Sequence, residues 1–427
     1  MKTTPLDSWI YRKIGASQPI LSRQELEAWQ LKKINETLAL VRTKCSFYQK
    51  HFIGKLESIL SLDELRKFPF TTEEDVRRNP MQFLCVSQDE INRVVTLQSS
   101  GTAGEPKRIY FTADDQELTI DFFGVGMSTL TKQGERVLIL LPGEKPGSVG
   151  DLLHIGLQRI GAESIPYGPV RDPLHTLKVI NGKQVDCLVG SPTQVLGLAR
   201  RWIPGMRKPR TVLLSTDYVP SAIVEILEQV WQCRVYNHYG ATEMGLGGGV
   251  ECAAQRGYHL READLYFEVI NPLTGELVQD GDYGEVVFTT LTRTGMPLIR
   301  YRMGDRSRFL NGTCPCGTLL RTMEKVRGRF TGFVLIGDVE LKLPDIDEVL
   351  FPIPGLLNFS VTVTGTVGQE SVTIEAHMLS RDDARKLIEK ALEEILNLKR
   401  IQVRIYCQQD PNEVGSIRKR VIIDRRE

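Results

Sequence analysis

Between residues 135 and 240 short β-rich runs alternate with amphipathic helical segments, and this alternation constrains the fold more than any other feature of the chain. The runs fall at 136–141, 164–167, 185–189, 211–215 and 234–239, and the segments 154–160, 193–202 and 222–231 carry Ile, Leu and Val on one face at three-to-four spacing. A chain that returns through a helix after each strand re-enters the sheet in the same direction. The strands therefore pair in parallel and the helices cover both faces. Sheets of this kind bind ligands outside the carboxyl ends of their strands.

The flanks read differently. Residues 20–80 have helical spacing at Leu31, Ile34, Leu38, Leu40 and Val41, with capping residues at Ser61 and from Thr71 to Asp75. After residue 260, runs at 266–270 and 285–290 are separated by the turn strings NPLTG and QDGDYG, which predicts an added β subdomain. Beyond Arg327-Gly328-Arg329 a separate strand and helix pattern begins (FSVTVTG, SVTIEAHML, DDARKLIEKALEEILNL, IQVRIYC). The expected fold class is α/β: a large N-terminal domain at 1–328, with doubly wound, mostly parallel sheets and a β subdomain, then a small mobile α+β domain at 329–427.

Composition removes several classes of function. A net charge of +1, from 54 Lys and Arg against 53 Asp and Glu, gives no field that would gather nucleic acid or an anionic membrane. The N-terminus lacks the apolar run of a signal peptide and no stretch is apolar enough to span a bilayer, so a cytoplasmic protein with no membrane partner is expected. Eight cysteines in 427 residues are too sparse for a disulfide scaffold.

Residues 97–110, LQSSGTAGEPKRIY, form a small, hydroxyl-rich loop that runs into a β-like stretch. Gly101 and Gly104 let backbone N–H groups approach an anion, Ser99, Ser100 and Thr102 add hydroxyl donors, and Lys107 adds a positive charge. The string is not a Walker A loop, and taken alone an ordinary surface turn is its commoner explanation. It is not alone. Residues 234–249, RVYNHYGATEMGLGGG, end a strand on Tyr239, Gly240, Ala241, Thr242 and Glu243; residues 298–306, LIRYRMGDR, place Asp305 after a glycine turn; residues 324–329 read EKVRGR.

These four strings, in this order, resemble the adenylate-forming superfamily of acyl-CoA ligases, and within it the branch of phenylacetate-CoA ligase and coenzyme F390 synthetase. The first is similar to the family's SSGTTGxPK phosphate loop, with Ala103 at the second Thr, and YGATE is similar to its YGxTE adenine motif. The resemblance implies an ATP-dependent enzyme that adenylates a carboxylic acid, aryl acids included, and passes the acyl group to CoA. It implies that Tyr239 stacks on adenine, Thr242 faces the α-phosphate, Glu243 helps hold Mg²⁺, Asp305 binds the ribose and Arg329 contacts the nucleotide. It also assigns Ser215, Thr216, Asp217 and His238, beside Gly240 and Ala241, to the walls around nucleotide and acid. A homodimer is common in the branch.

Cys252 and His259 lie in ECAAQRGYH, and Cys314 and Cys316 in NGTCPCG. Three thiols and an imidazole make a tetrahedral zinc set, although the C-x6-H and C-x-C spacing equally suits a cluster of reduced thiols. The resembling branch has members with a similar site, which would be a closed, structural one.

The C-terminal part departs from the family. The hinge usually reads GRxDD, whereas Gly328-Arg329 is followed here by Phe330, Thr331 and Gly332; the tail usually reads GKxxR, whereas residues 415–426 read GSIRKRVIIDRR, with Ser416 at the lysine position and Lys419 as the nearest substitute. These departures keep two alternatives open beside the acid–CoA ligase: an adenylating enzyme whose acceptor is not CoA, including AMP transfer to a hydroxyl, and a relative that binds nucleotide without turnover. A dinucleotide oxidoreductase, suggested by the glycines at 245 and 247–249, lacks the βαβ placement that such a fingerprint needs.

Overall fold

The computed structural model describes residues 3–16, 21–97, 105–337, 339–366, 368–380, 384–393, 395, 401–410, 412–413 and 420–426. The chain folds into two units, one of Met1–Thr129, Ile155–Ile160 and His238–Val326, the other of Leu130–His154, Gly161–Asn237 and Arg327–Glu427.

In the first unit the helix Arg23–Lys44 starts where the Ser22 hydroxyl accepts the Glu25 N–H, and it buries Leu26, Ile34, Leu38 and Val41 on one face. Of these, Ile34, Leu38 and Val41 pack into a core with Tyr48, Phe68, Phe83, Phe288 and Tyr301. The expected β subdomain is an antiparallel sheet of Leu265–Ile270, Gly284–Thr290 and Tyr301–Ser307, in which Phe267 faces Phe288 and Phe288 faces Tyr301 across the register. A hairpin pairs Arg93–Leu97 with Lys107–Phe111 so that Leu97 lies opposite Lys107, which brings the ends of the glycine loop together. The short helix Glu73–Arg78 begins with a capping box between Thr72 and Asp75.

The second unit holds the parallel sheet, in the spatial order Glu163–Pro166, Arg136–Ile139, Cys187–Gly190, Thr211–Leu214, Arg234–Tyr239. Every residue of Cys187–Gly190 is buried, as a strand covered on both faces must be. The helices Pro192–Ala199 and Ser221–Trp231 match the sequence periodicity. The helix expected at 154–160 is Val149–Arg159, beginning five residues earlier because Gly150 and Asp151 break the apolar periodicity without breaking the helix. Residues after 327 add a mixed sheet, ordered Gln402–Gln409, Gln369–Met378, Leu356–Thr366, Ile422–Asp424, whose apolar face joins the same hydrophobic cluster as the parallel sheet's helices.

The strand Arg234–Tyr239 begins in the second unit and ends in the first, where His238 and Tyr239 pair with Val250 and Gly249. Among the described residues no helix is long and apolar enough to cross a membrane.

Candidate active site

Lys107 is the first residue of its strand and is 5 % exposed; Glu243, from the single-turn helix Thr242–Met244, is 4 % exposed. The Lys107 ammonium pairs with the Glu243 carboxylate, lies 3.3 Å from a Glu73 oxygen and 3.4 Å from the Tyr301 hydroxyl. Tyr301 in turn donates to Glu243 Oε1 at 3.3 Å. A buried lysine with two carboxylates and a phenol in reach has several arrangements to choose from, which suits a cation that must meet an incoming anion. Arg293 supports this cluster from behind. Its guanidinium donates to the Glu243 carbonyl at 2.9 Å and the Tyr110 carbonyl at 2.7 Å, and it lies over the Phe111 ring. Burial lowers the Arg293 pKa, against the opposing pull of Asp115 and Glu243.

Beside this cluster the strand delivers Tyr239, whose hydroxyl donates to Asp305 Oδ2 at 2.9 Å and whose ring stacks on Tyr258 at 5.6 Å. Asp305 follows Gly304 inside the strand Tyr301–Ser307, where the register against Gly284–Thr290 shifts; Gly304 sits at φ +73 and donates its N–H to Glu285 at 3.0 Å, so this irregularity, in place of the expected turn, needs glycine. Gly240 is needed for a different reason: a Cβ there would stand 2.2 Å from the Leu246 carbonyl oxygen. Thr242 is half-buried and its carbonyl accepts the Gly245 N–H at 3.0 Å, while Ala241 is half-buried and Gly240 exposed. His238 lies edge-on to Phe123 at 5.9 Å, and desolvation lowers its pKa to about 4, so the ring is neutral near pH 7.

The sequence-based site thus divides into groups. Lys107 and Glu243 form one contacting pair and Tyr239 and Asp305 another, all four in the first unit. Ser215, Thr216, Asp217 and Arg329 belong to the second unit. There the Ser215 N–H donates to the Gly190 carbonyl, Thr216 holds φ +79, and Asp217 accepts from Arg420. The Tyr218 hydroxyl is committed to Glu348 at 2.5 Å. Ser99, Ser100, Gly101, Thr102, Gly104 and Lys419 lie outside the described residues.

Glu73, Tyr301, Arg293 and Tyr258 escaped the sequence reading. Tyr301 stands inside the quoted LIRYRMGDR string and Glu73 inside the capping stretch from Thr71 to Asp75, yet nothing local marks either as a partner of Lys107.

Cys252, His259, Cys314 and Cys316 are buried together, with one ligand atom of each lying within 4.8 Å of the others. Cys252 Sγ is 3.6 Å from Cys314 Sγ, Cys316 Sγ is 3.4 Å from His259 Nε2, and His259 Nδ1 is 3.4 Å from the Thr322 hydroxyl.

The family model for AMP-binding enzymes matches residues 35–292, which include Lys107, Tyr239 and Glu243. The chain belongs to this family. This AMP-binding enzyme is similar to the phenylacetate-coenzyme A ligase of Pseudomonas putida, 29% identical over 353 residues that cover 80% of this chain and 78% of that one. It is also similar to the phenylacetate-coenzyme A ligase of Thermus thermophilus, 27% identical over 83% of this chain and 82% of the other. Its fold matches that of 2-hydroxyisobutyryl-CoA ligase in the postadenylation state with 2-HIB-AMP, at a TM-score of 0.81, 18% identity, and coverage of 95% of this chain and 90% of that one.

Proposed function

We propose that this AMP-binding enzyme is an AMP-forming acid–CoA ligase of the phenylacetate-CoA ligase kind. The observation that carries the reading is the buried Lys107–Glu243–Tyr301 cluster beside the Tyr239–Asp305 pair, in a chain related over four fifths of its length to phenylacetate-CoA ligases.

In the first half-reaction a carboxylate oxygen of the acid forms a bond to the α-phosphorus of ATP, the bond from that phosphorus to the bridging oxygen breaks, and pyrophosphate leaves. In the second, the CoA sulfur, having lost its proton, bonds to the acyl carbon and AMP departs. The enzyme contributes position and charge to these steps more than covalent help. Lys107, held between two carboxylates, can turn its ammonium toward phosphate oxygens. Tyr239 offers adenine an aromatic face and Asp305 accepts from the ribose hydroxyls. Arg293 and Tyr301 keep the Glu243 carboxylate in place. Glu243 is a buried oxygen donor and fits Mg²⁺, which when bound supplies charge neutralisation on the phosphates. Thr242 faces the α-phosphate, residues 99–104 cradle the others, Arg329 contacts the nucleotide, and residues 329–427 act as the mobile domain with Lys419 as its adenylation lysine. Ser215, Thr216, Asp217 and His238 line nucleotide and acid, the neutral His238 as a hydrogen-bonding rather than a charged partner. ATP and CoA are intracellular co-substrates, which supports a cytoplasmic enzyme.

The four-residue cysteine and histidine cluster is proposed as a structural zinc site. A tetrahedron with Zn–S near ~2.3 Å has ligand edges of about 3.8 Å, close to the observed sulfur–sulfur separation. The Thr322 hydroxyl near Nδ1 leaves Nε2 of His259 as the ligand nitrogen. All four positions are filled by protein, so the ion would tie residues 252–259 to residues 314–316 and would not act on substrate. Elemental analysis of protein purified without chelators is expected to give one equivalent of zinc, and under a tenth of an equivalent ends this assignment.

The main test is pyrophosphate release from ATP across aryl, alkyl and amino acids, with and without CoA. Acid-dependent release together with a thioester is expected. Acid-dependent release that never yields a thioester would favour the non-CoA acceptor, a reading kept in view by Thr331 and Gly332 at the pivot where the family carries acidic residues.

A further inference from the structure

Arg420 lies in the tail, just before the strand Ile422–Asp424, which pairs in parallel with Leu356–Thr366. Its side chain is 9% exposed and binds Asp347, itself 1% exposed, through both terminal nitrogens, at 2.8 and 2.7 Å. Nε of the same guanidinium is 3.4 Å from Asp217 Oδ2, and the Arg420 backbone N–H is 3.5 Å from that oxygen. The Phe351 and Phe359 rings lie 5.1 and 5.4 Å from the guanidinium carbon. Each edge of the fork is thus used, which a lysine ammonium could not reproduce.

Asp217 belongs to the segment that ends the strand Thr211–Leu214 of the parallel sheet. This segment is unusually constrained: Thr216 holds φ +79, Tyr218 donates to Glu348 at 2.5 Å, and the Ser221 N–H donates to the same carboxylate at 3.0 Å. A non-glycine residue in the left-handed region persists only where its surroundings over-determine it, and such residues gather at functional sites. Here Asp217 is held by Arg420, and Tyr218 and Ser221 by Glu348, neither of which belongs to the parallel sheet.

We propose that Arg420 is a positioning residue for adenylation: by gripping Asp347 and Asp217 together, it fixes the tail to the strand-end segment at the residue next to Lys419. A lysine side chain has four rotatable bonds, and a charge that must meet the reacting phosphate needs a fixed backbone behind it. Arg420 supplies that fixed point. Upstream, Arg201 donates to the Glu413 carbonyl at 2.9 Å, so the tail is anchored on this side as well. The inference rests on the ligase reading, with Lys419 as its adenylation lysine.

The test separates the two half-reactions. Adenylation is read as acid-dependent exchange of pyrophosphate into ATP, using the acid that the wild-type enzyme turns over best. Thioester formation is read from that acid's chemically prepared acyl-adenylate and CoA. The double variant Arg420→Gln with Asp347→Asn removes both charges of the bidentate pair at once, and the Asp217 carboxylate, 13% exposed, loses its arginine. It is expected to lose exchange on the order of 10²-fold, mainly in kcat, as displacement of a reacting group does, while thioester formation stays within about threefold. Lys419→Ala should show the same split. Arg426→Gln, further along the tail, should leave both half-reactions unchanged. Wild-type exchange in the double variant, a parallel fall of both half-reactions, or a silent Lys419→Ala overturns the proposal while leaving the ligase reading intact. Absence of exchange in the wild type with every acid overturns the ligase reading, and the proposal with it.

Discussion

The Lys107 cluster of the first unit and the Arg420 clamp of the second each set one buried cation against two carboxylates. In the first, a point charge on a flexible stem faces Glu243 and Glu73 with the Tyr301 hydroxyl nearby, and Glu73 is 37% exposed. In the second, a planar fork meets Asp347 edge to edge, close to two phenylalanine rings. The difference lies in what each arrangement can release. A lysine can exchange partners by rotating its stem, whereas an arginine with both edges bonded has to give up several contacts at once. The first is suited to receive a ligand and the second to hold a piece of chain still.

The comparison can be broken at its strongest point by Glu243→Gln. If the carboxylate holds the metal and orients Lys107, pyrophosphate release falls at least ~100-fold, since several kcal/mol of transition-state stabilisation go with it. Near wild-type release would remove Glu243 from the site. Lys107→Arg asks whether the two cations are interchangeable. It is expected to cost roughly 10-fold or more in kcat/KM, because a fixed fork in a pocket shaped for an ammonium cannot swap carboxylate for phosphate; a fully active variant would show that the stem's freedom is irrelevant.

Cys314→Ser sharpens the contrast from outside both regions. Loss of one ligand of a structural ion is expected to lower Tm by roughly 5 °C or more and to release zinc, with adenylation retained well below the new Tm. Loss of turnover at full stability would instead place the metal in the chemistry.

The smallest expected effect is one of pH. His238 has a folded pKa near 4 against an ordinary value of 6.5, because burial opposes its charge. Between those values the unfolded chain binds more protons, so this contribution to stability is complete above pH 6.5 and is lost as pH falls towards 4. Denaturant titrations of His238→Gln should show a shallower decline across that window than the wild type, and an identical slope would mean that the ring charges in the folded protein.

Much of this architecture can be read along the chain because it is written in local periods. The parallel sheet follows from apolar runs separated by amphipathic helices and the β subdomain from NPLTG and QDGDYG, while of the hairpin only the strand after the glycine loop was legible. The residues that the structure pairs were legible where a motif compresses them, as at Lys107, at Tyr239 and Glu243, and at Asp305. Glu73, Tyr301, Arg293 and Tyr258 were not, because their roles arise from packing between elements far apart in sequence, and glutamate, tyrosine and arginine are ordinary residues where they stand. Asp217 shows the same limit in reverse: its motif suggested a place near the ligands, while its structural partner is a tail arginine 203 residues away.

The sequence by itself determined the family and with it the kind of chemistry, since the motifs that mark the family are residue types at short spacing. Only the tertiary structure decided which charges neutralise one another. In a low-dielectric interior a buried ion must have a partner at contact distance, and that distance is fixed by how whole elements pack rather than by any string of neighbours.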